Sequence, residues 1–542
     1  MGIAAAWLLR TARGLTFAGD DIYYYARYVA HGFGAEPGNG VEYFLAPHNG
    51  HLQVGGKLIY RVLFEVFGAD YTAFRVVNLI GLLLSVGLFY LLCRRRVGPL
   101  VALPPAVLLL FLGYAWEPLI WAFDMHTVYA LAFGLGAVLA LEREDRAGDV
   151  AACVLLVLSV SMIELGLAFA AGAAVYVLLG SDRWRRAWIF ALPFLLYAAW
   201  WMWARKFDQS SISLLHIHLF PIDAFSALAA IMGSVTGLNP TGSGVSVVVT
   251  TVTPFGSALA VLAVLGVVWR VSRGPMPRTF WLFLTVALAY WLTIALGGRE
   301  PDSSRYVLAG TALVFLIAAD AVADMRIRIA AFAAVCLVVL LALPANIAKF
   351  YDGRRYQLND AEATGTEYAM LELAKGRVEP GYAPGSDPEV VKAGGGVFVS
   401  LPAIDYFRAS REFGSIAYSL DQVRSQPLLF RHVADVTLKD ALGISLHRAS
   451  PPRRDSSCSA LSPASPKSPV YLKTKSGGLL LMPMTSRPAR VSVSRFATEV
   501  VGAPVGTLEV GGWYLLRIPP DHDPQPWHVV VDAPTRACRV PG

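Results

Sequence analysis

Apolar residues of the 542-residue chain gather in long blocks that short polar stretches separate. Most blocks approach the ~20 residues that a helix needs to cross a bilayer. They lie at residues 72–93, 98–115, 126–141, 149–163, 165–180, 187–204, 252–270, 279–297, 305–323 and 328–346. With a short or truncated first helix in residues 3–18, the pattern predicts about eleven membrane-spanning helices.

Arginines indicate how these helices are oriented. The clusters share one side of the membrane only if residues 149–163 and 165–180 cross separately, with Glu164 at the turn between them. Short loops rich in arginine face the cytoplasm, so the chain begins inside and its polar tail lies outside. The clusters that decide this are at residues 94–96, 143–146, 183–186, 270–278 and 326–328.

The same reasoning places residues 20–71 in a first outer loop and residues 205–251 in a later one. Within the first loop, apolar residues recur at helical spacing from Leu52 to Phe67. Lys57, Arg61 and Glu65 follow steps of four on the other face. This pattern predicts an amphipathic helix that lies on the outer membrane surface.

The chain becomes polar after the last apolar block. Residues 358–375 predict a helix, and the Ser/Pro-rich segment 449–469 predicts an exposed loop. Alternating apolar runs predict strands at residues 397–401, 470–474, 490–494, 513–518 and 528–531. We therefore expect an α-helical polytopic membrane domain over residues 1–346 and an extracytoplasmic mixed α/β, β-rich domain over residues 347–542.

Composition supports a membrane protein and argues against nucleic-acid binding. The chain is 55% hydrophobic and 16% charged, with a mean hydropathy of +0.51, whereas soluble domains carry about 25% charged residues. The net charge of +7 comes from arginines in short loops. Zinc-finger spacing and RNA-binding signatures are absent from the sequence, so we expect no nucleic-acid partner.

The five cysteines fall into two groups. Cys93, Cys153 and Cys336 lie in apolar runs, which predicts buried, inert thiols. Cys458 and Cys538 lie in the polar tail. If the tail is outside the cytoplasm, these two can form a disulfide.

Ionisable residues collect at the predicted outer ends of the helices. Such residues are costly near a membrane and are therefore functional candidates. They are Asp20, Asp21, His48, His51, Glu117, Asp124, His126, Glu164, Arg299, Asp302 and Arg305.

Several interpretations stay open for these residues. Asp20 and Asp21 can act as a general base, hold a divalent cation, or simply end the first helix. His48 and His51 can contact a metal, a substrate or a carboxylate, or only shape a loop. Candidate metal ligands are thus Asp20, Asp21, His48 and His51; no cofactor is certain, and a divalent cation is possible.

Two arginines break the positive-inside trend. Arg299 and Arg305, the latter followed by Tyr306, lie on the predicted outer side, where a guanidinium can bind a lipid phosphate. The alternative is an ion pair with Glu300, Asp302 or Glu164. Glu117, Asp124 and Glu164 can each pair with an arginine or cap a helix.

The ordered set of these features resembles the GT-C superfamily of membrane glycosyltransferases, which includes the protein mannosyltransferases and the aminoarabinose transferases. Asp20-Asp21 follows the first helix, and the first outer loop carries His48 and His51. The segment from Phe67 to Asn78 leads into an apolar helix, and Ser161 to Gly166 is similar to the acidic turn between two short helices of that superfamily. The resemblance covers residues 1–346.

The resemblance implies an inverting transfer of a sugar from a polyprenyl-phosphate donor to an extracytoplasmic acceptor. Asp20 or Asp21 would then be the base or a metal contact, with Asp21 favoured.

Composition rich in Ala, Gly, Arg and Val indicates a GC-rich bacterium, so we expect a plasma-membrane enzyme acting on a cell-envelope glycan, lipid or protein. The alternatives are a lipid or polysaccharide transporter and a non-catalytic assembly protein. Aromatic residues of the tail predict glycan binding or structural support: Trp513, Tyr514 and Trp527.

Overall fold

The computed structural model describes residues 1–27, 40–207, 213–242, 246–325, 329–385, 400–452, 458–461, 470–498 and 502–540. Contacts between Cα atoms divide the chain into two compact units. The helical unit contains Met1–Gly14 and His31–Tyr356, and the tail unit contains Leu15–Ala30 and Gln357–Gly542. Each unit is described by itself.

The helical unit is built almost entirely of helices, and one long helix, α17, continues from it into the tail unit. The helices of the chain up to that point are α1 (Gly2–Thr11), α2 (Asp20–Arg27), α3 (Gly40–Leu45), α4 (Val54–Phe67), α5 (Tyr71–Val97), α6 (Pro99–Leu110), α7 (Trp116–Ile120), α8 (Met125–Leu141), α9 (Arg146–Met162), α10 (Leu165–Leu178), α11 (Arg183–Arg186), α12 (Trp188–Ala204), α13 (Phe220–Thr236), α14 (Pro254–Ser272), α15 (Arg278–Leu296), α16 (Ser304–Val322) and α17 (Ile329–Leu373).

The chain is an integral membrane protein with a polytopic helical region. Among the described residues, eight helical stretches are long and apolar enough to cross a membrane. The number is nine if Pro99–Leu110 and Gly113–Ile120, which are bent by 46° relative to each other, form one span. The predicted fold class is therefore confirmed, whereas the expected count of eleven spans stays a prediction.

The predicted break at Glu164 is confirmed. Helix α9 ends at Met162, Ile163 is extended, and α10 begins at Leu165. Gly166 permits the tight turn, because a Cβ there would lie 2.2 Å from the backbone nitrogen of Val160. A non-glycine residue would force the two short helices apart.

Ion pairs gather at one end of the helical unit, which we call the arginine end. Arg96 donates to Asp320 at 2.6 Å and to Glu142 at 2.7 Å. Arg186 binds Asp149 at 2.7 Å. These residues lie at the finish of α5 and α16 and at the start of α9, so the contacts agree with the predicted grouping of the arginines. The opposite ends of the same helices carry Glu164 and Ser304, and we call that end the polar end.

The prediction of a loop over residues 205–251 was wrong. This stretch contains helix α13, and Leu214–Thr236 is among the eight candidate spans. His216, His218 and Asp223 interrupt the apolar run at its start, which obscured the helix in the sequence.

Contacts place both ends of α13 at the polar end. Before the helix, the His216 ring lies against Gly298, which follows α15. After the helix, the Asn239 carbonyl accepts a hydrogen bond from the Tyr114 hydroxyl at 2.5 Å. Helix α13 therefore begins and ends at the same end of the unit and does not carry the chain to the arginine end, although its length and composition would allow a span. The predicted grouping of the arginines is kept.

The amphipathic helix predicted in the first loop is present as α4, but one face was assigned incorrectly. Lys57 is buried, and its Nζ donates to the carbonyls of Tyr43 at 2.9 Å and Ala46 at 2.5 Å. Those carbonyls end the short helix α3, so the lysine satisfies acceptors that the helix leaves open. The exposed stripe is instead apolar and consists of Leu58, Val62, Val66 and Phe67, and its place on the membrane surface stays a prediction.

The tail unit combines helices with two antiparallel sheets. After α17 come α18 (Ala403–Phe413), α19 (Leu420–Ser425) and α20 (Leu428–Ala441). The strands are β1 (Ser445–Ala449), β2 (Cys458–Leu461), β3 (Val470–Thr474), β4 (Gly477–Pro483), β5 (Ala489–Ser494), β6 (Ala503–Leu508), β7 (Trp513–Ile518), β8 (Trp527–Val531) and β9 (Thr535–Val540). One sheet has the order β1-β7-β4-β9-β2 and the other β3-β8-β5-β6.

Most predicted elements of the tail are confirmed. Strands occur at 470–474, 490–494, 513–518 and 528–531, and the helix predicted at 358–375 is the end of α17. The predicted strand at 397–401 lies mostly outside the described residues. The prediction that the Ser/Pro-rich segment forms one continuous loop was wrong, because β2 lies within it and pairs with β9. Apart from β2, the part of that segment beyond residue 452 is not described.

A disulfide joins Cys458 to Cys538, as the sequence predicted. The two residues face each other in the β2–β9 register, with their Cα atoms 4.1 Å apart. Cys93 and Cys153 are buried, as expected, whereas Cys336 on α17 is only half-buried. Because 80 residues separate the two bonded cysteines, the disulfide closes most of the β-rich part of the tail.

We expect the double variant Cys458→Ser/Cys538→Ser to lose about 4 kcal/mol of tail stability, because the unfolded chain regains the entropy of an open loop. Denaturant unfolding of the full chain in detergent, followed by protease sensitivity of the tail, measures the loss. Cys336→Ser is the matched control and should leave the tail unchanged. Equal midpoints for the double variant and the wild type would contradict this role of the disulfide.

Asp435 on α20 joins the helices of the tail to its sheet. Its carboxylate is fully buried and accepts the backbone N–H groups of Arg495 at 2.6 Å, Phe496 at 3.0 Å and Ala497 at 2.9 Å. These three donors follow β5 directly. Burial raises the pKa of Asp435 to about 6, although the three N–H groups oppose the rise.

A raised pKa predicts that protonation of Asp435 favours the folded tail. Its contribution to the free energy of unfolding is largest below about pH 4, where an unfolded aspartate is also protonated, and is lost as the pH rises through about 6. Between these two pH values the contribution of Asp435 to the free energy of unfolding changes by about 3 kcal/mol. The free energy of unfolding is measured for the wild type and for Asp435→Asn between pH 4 and 7. The difference between the two proteins isolates the contribution of Asp435, because the other carboxylates act equally in both. A wild-type minus variant difference that does not change with pH would contradict the prediction.

Candidate functional site

His48 and His51 form the two ends of a tight hairpin turn. The N–H of His48 donates to the His51 carbonyl at 3.1 Å, and the N–H of His51 donates to the His48 carbonyl at 2.9 Å. Asn49 and Gly50 between them have φ values of 51° and 82°. A two-residue turn with both φ values positive favours the Asn-Gly pair, so the local sequence determines the geometry of the histidine pair.

The two histidine side chains have different surroundings. The His48 ring is buried and lies 5.5 Å from the Phe123 ring. The Nδ1 atom of His51 makes a short hydrogen bond to Oε2 of Glu164, at the break between α9 and α10. Among the described residues no hydrogen-bond partner of His51 Nε2 is found, although that atom is buried. When Nδ1 carries the proton for Glu164, Nε2 is left as a proton acceptor or a ligand atom.

Arg299 joins a third segment to this turn. Its Nη2 atom donates to the carbonyl of Asn49 at 3.1 Å. One such bond uses one of five guanidinium N–H groups. The structure thus brings together His48, His51, Glu164 and Arg299, which the sequence had placed on one side of the membrane without a contact between them.

A second polar cluster lies where α16 begins. Glu117 is buried, and Arg305 Nη2 donates to its Oε1 at 3.0 Å. The Ser304 hydroxyl donates to Oε2 of the same carboxylate. The guanidinium of Arg305 also lies 5.7 Å from the centre of the Trp121 ring. Arg305 is therefore ion-paired, but with Glu117 and not with Glu300, Asp302 or Glu164.

Tyr306, Asp124 and His126 lie near this cluster in the helical unit. The Tyr306 ring is 6.1 Å from the Tyr290 ring, and Asp124 is buried in a short helical turn at Ala122–Asp124. The His126 ring is packed between aromatic rings and its Nδ1 bonds the Phe123 carbonyl at 2.5 Å. His126 is thus a packed residue of the core in this structure.

Asp302 closes the loop before α16. Its backbone carbonyl accepts the Thr250 N–H at 2.8 Å, which ties the loop to the segment after α13. Burial raises the pKa of the Asp302 carboxyl, and the charge of Glu300 adds to the rise. Sequence reasoning missed Ser304, Trp121 and Asn49 as partners. Each of these residues adjoins a candidate residue in the sequence or lies within one helical turn of it. That proximity is the only sequence signal by which these partners could have been found.

Asp20 and Asp21 belong to the tail unit and not to the helical unit. They do not end the first helix, because α1 stops at Thr11 and the two aspartates form the first turn of α2. Carboxylates in a first turn are stabilised by the helix dipole. Asp21 is fully buried and Asp20 half-buried.

Helix α2 is held within the tail unit by its aromatic residues. One turn after Asp21, the Tyr25 hydroxyl donates to the Gly414 carbonyl at 2.5 Å. The Tyr25 ring lies 6.4 Å from the rings of Tyr406 and Phe413, both on α18. The catalytic role of the two aspartates stays a prediction.

A preformed metal site is not found in the described part of the chain. No group of three or more His, Cys, Asp or Glu residues there could hold a metal ion. Of the candidate ligands, Asp20 and Asp21 fall in one unit and His48 and His51 in the other. A divalent cation therefore remains a prediction without a defined coordination shell.

Comparisons with known proteins give only distant likenesses. No family model and no curated protein matches the chain. A crystal structure of ArnT from Cupriavidus metallidurans bound to undecaprenyl phosphate is 15% identical, covers 75% of this chain and 83% of its own, and has a TM-score of 0.43.

Two structures of the oligosaccharyltransferase of Archaeoglobus fulgidus are also similar. AglB in complex with an inhibitory peptide and a dolichol-phosphate is 12% identical over 82% of this chain and 68% of its own, with a TM-score of 0.36. The apo form is 11% identical over 97% and 96%, with a TM-score of 0.37.

We expect Glu117→Ala to lower the stability of the helical unit by about 2 kcal/mol, because Arg305 and Ser304 would lose their shared acceptor. The stability of Glu117→Gln should lie between that of the wild type and that of Glu117→Ala, since glutamine keeps an acceptor oxygen but not the charge. Unfolding in mixed detergent micelles measures the change, with the exposed Glu300→Ala as control. A Glu117→Ala variant as stable as the control would show that the cluster does not hold α16 in place.

Proposed function

We propose that the chain is a membrane glycosyltransferase that moves a sugar from a polyprenyl-phosphate donor to an extracytoplasmic acceptor. The observation that carries the proposal is that two clusters of ionisable side chains lie at the polar end of the helical unit. In one cluster His51 binds Glu164 and Arg299 binds the turn that carries His51, and in the other Arg305 binds Glu117. Such an arrangement suits a substrate with an apolar tail in the bilayer and a charged head at its surface.

The two arginines would bind the phosphate of the donor. Arg299 uses one donor on the Asn49 carbonyl, and Arg305 is oriented by Glu117 and Trp121. Guanidinium groups match phosphate oxygens in a fork geometry. Fixed cations also stabilise negative charge that develops on a leaving phosphate, so this pair suits the departure of the lipid phosphate.

Asp21 would act as the general base, with Asp20 as the alternative. The carboxylate takes the proton of an acceptor hydroxyl, whose oxygen then attacks the anomeric carbon of the sugar. The bond between that carbon and the phosphate oxygen breaks, and the lipid phosphate leaves with the electron pair. Attack from the face opposite the leaving group inverts the anomeric configuration.

The remaining candidates would orient the substrates. His51, held by Glu164, offers Nε2 to a hydroxyl or phosphate group. His48, Asp124 and Tyr306 would line the donor-binding region as further contacts. We propose a cell-envelope glycan as the acceptor.

The disulfide in the tail supports our proposal that the tail lies outside the cytoplasm. Disulfides persist in oxidising compartments and are rare in the cytoplasm. We propose the bacterial plasma membrane, with the tail outside. Trp527 is fully buried beneath Arg495, whose guanidinium lies 4.4 Å from the ring, so it supports the fold. Trp513 and Tyr514 are half-buried and remain the aromatic candidates for glycan contact.

We expect Asp21→Asn to abolish at least ~99% of sugar transfer, because an amide cannot accept the hydroxyl proton. Asp20→Asn should lose less if Asp21 is the base. Transfer from polyprenyl-phosphate sugars is measured with the purified full chain. Asp421→Asn is the matched control, since its side chain is 97% exposed in the same unit.

Three outcomes would count against the proposal. Full turnover in both aspartate variants would remove their catalytic role. Turnover without any lipid phosphate would remove the donor assignment. Movement of intact lipid or glycan across vesicles by a chain that transfers no sugar would favour the transporter instead.

A further inference from the structure

The segment between α6 and α8 leaves backbone groups without ordinary helical partners. It runs through Gly113–Ala115, α7 and Ala122–Asp124, which are short 3₁₀ and α turns. In a continuous helix the carbonyl of Pro118 would accept the N–H of Ala122, and that of Leu119 would accept the N–H of Phe123. A buried backbone group without a partner is costly, most of all in an apolar environment.

One face of α5 supplies the missing partners. Asn78 Nδ2 donates to the Pro118 carbonyl at 3.1 Å, and Arg75 Nη2 donates to the Leu119 carbonyl at 3.2 Å. The Ala122 N–H donates to the Tyr71 hydroxyl at 3.3 Å. These side chains stand at positions i, i+4 and i+7 of α5 and therefore share one helix face. All three are buried.

The segment that α5 holds carries two side chains of the polar cluster. Glu117 precedes Pro118 and binds Arg305 and Ser304. Trp121 stands between Leu119 and Ala122 and packs against the Arg305 guanidinium. A shift of this short segment would therefore move both groups that orient Arg305.

We propose that Tyr71, Arg75 and Asn78 are positioning residues that set the orientation of Arg305 through the backbone of residues 118–122. They contact no substrate themselves. The inference rests on the proposed function only where it says that Arg305 meets a phosphate. This positioning role accounts for three residues of the segment from Phe67 to Asn78, for which the sequence alone suggested no chemistry.

The experiment removes each bond with little change in shape. Tyr71→Phe, Arg75→Met and Asn78→Leu each delete the polar group and keep most of the volume. Tyr129→Phe is the matched control, because its hydroxyl donates to the Val77 carbonyl at 3.0 Å from α8 and does not touch residues 118–122.

Two measurements are made on the full chain in detergent. Amide hydrogen exchange of residues 116–124 should become about three- to tenfold faster in the three variants and stay unchanged in the control. The Kd for a short polyprenyl phosphate should rise by up to about tenfold in the same variants. The thermal unfolding midpoint should fall by no more than in Tyr129→Phe.

The proposal is overturned if exchange of residues 116–124 does not change, or if exchange rises while the Kd stays at the wild-type value. A general loss of stability with faster exchange throughout α5 and α8 also overturns it, because the residues would then only support the fold. If the wild type does not bind polyprenyl phosphate, the proposed function fails. The exchange measurement then still decides whether these residues position the segment.

Discussion

The need to satisfy backbone hydrogen bonds inside an apolar unit controls the polar end of this protein. Where α3 and α7 stop short there, a side chain from another helix completes the bonding. Lys57 does so for the carbonyls of Tyr43 and Ala46, and Asn78 does so for Pro118. Since water is scarce at such depths, each missing partner would cost several kcal/mol. These partners therefore stabilise the breaks at which residues of the candidate site lie.

Breaks in helices also explain why charged groups meet at one end. Glu164 occupies the gap between α9 and α10, and Glu117 lies in a bent segment between α6 and α8. Both carboxylates are buried within the unit, where they pair with residues of other segments. His51 and Arg305 are their partners. The opposite end is occupied by arginine–carboxylate pairs such as Arg96 with Asp320, which fix the helices there.

The tail unit is stabilised by a different set of forces. Its sheets carry alternating buried positions, a disulfide joins β2 to β9, and Asp435 accepts three backbone donors from the segment after β5. The same unit includes the helix with Asp20 and Asp21.

The sequence by itself determined the fold class, the break at Glu164, four strands of the tail and the disulfide between Cys458 and Cys538. These features follow from local signals: apolar length, arginine position, period-two alternation and the location of cysteines in a polar segment. Tertiary structure alone decided that Arg305 pairs with Glu117, that Lys57 is buried and that residues 214–236 contain a helix. Pairing across a helical unit depends on which faces pack together, and 188 residues separate the two partners of that ion pair. No local pattern encodes such a contact, because its free energy exists only once the helices have been assembled.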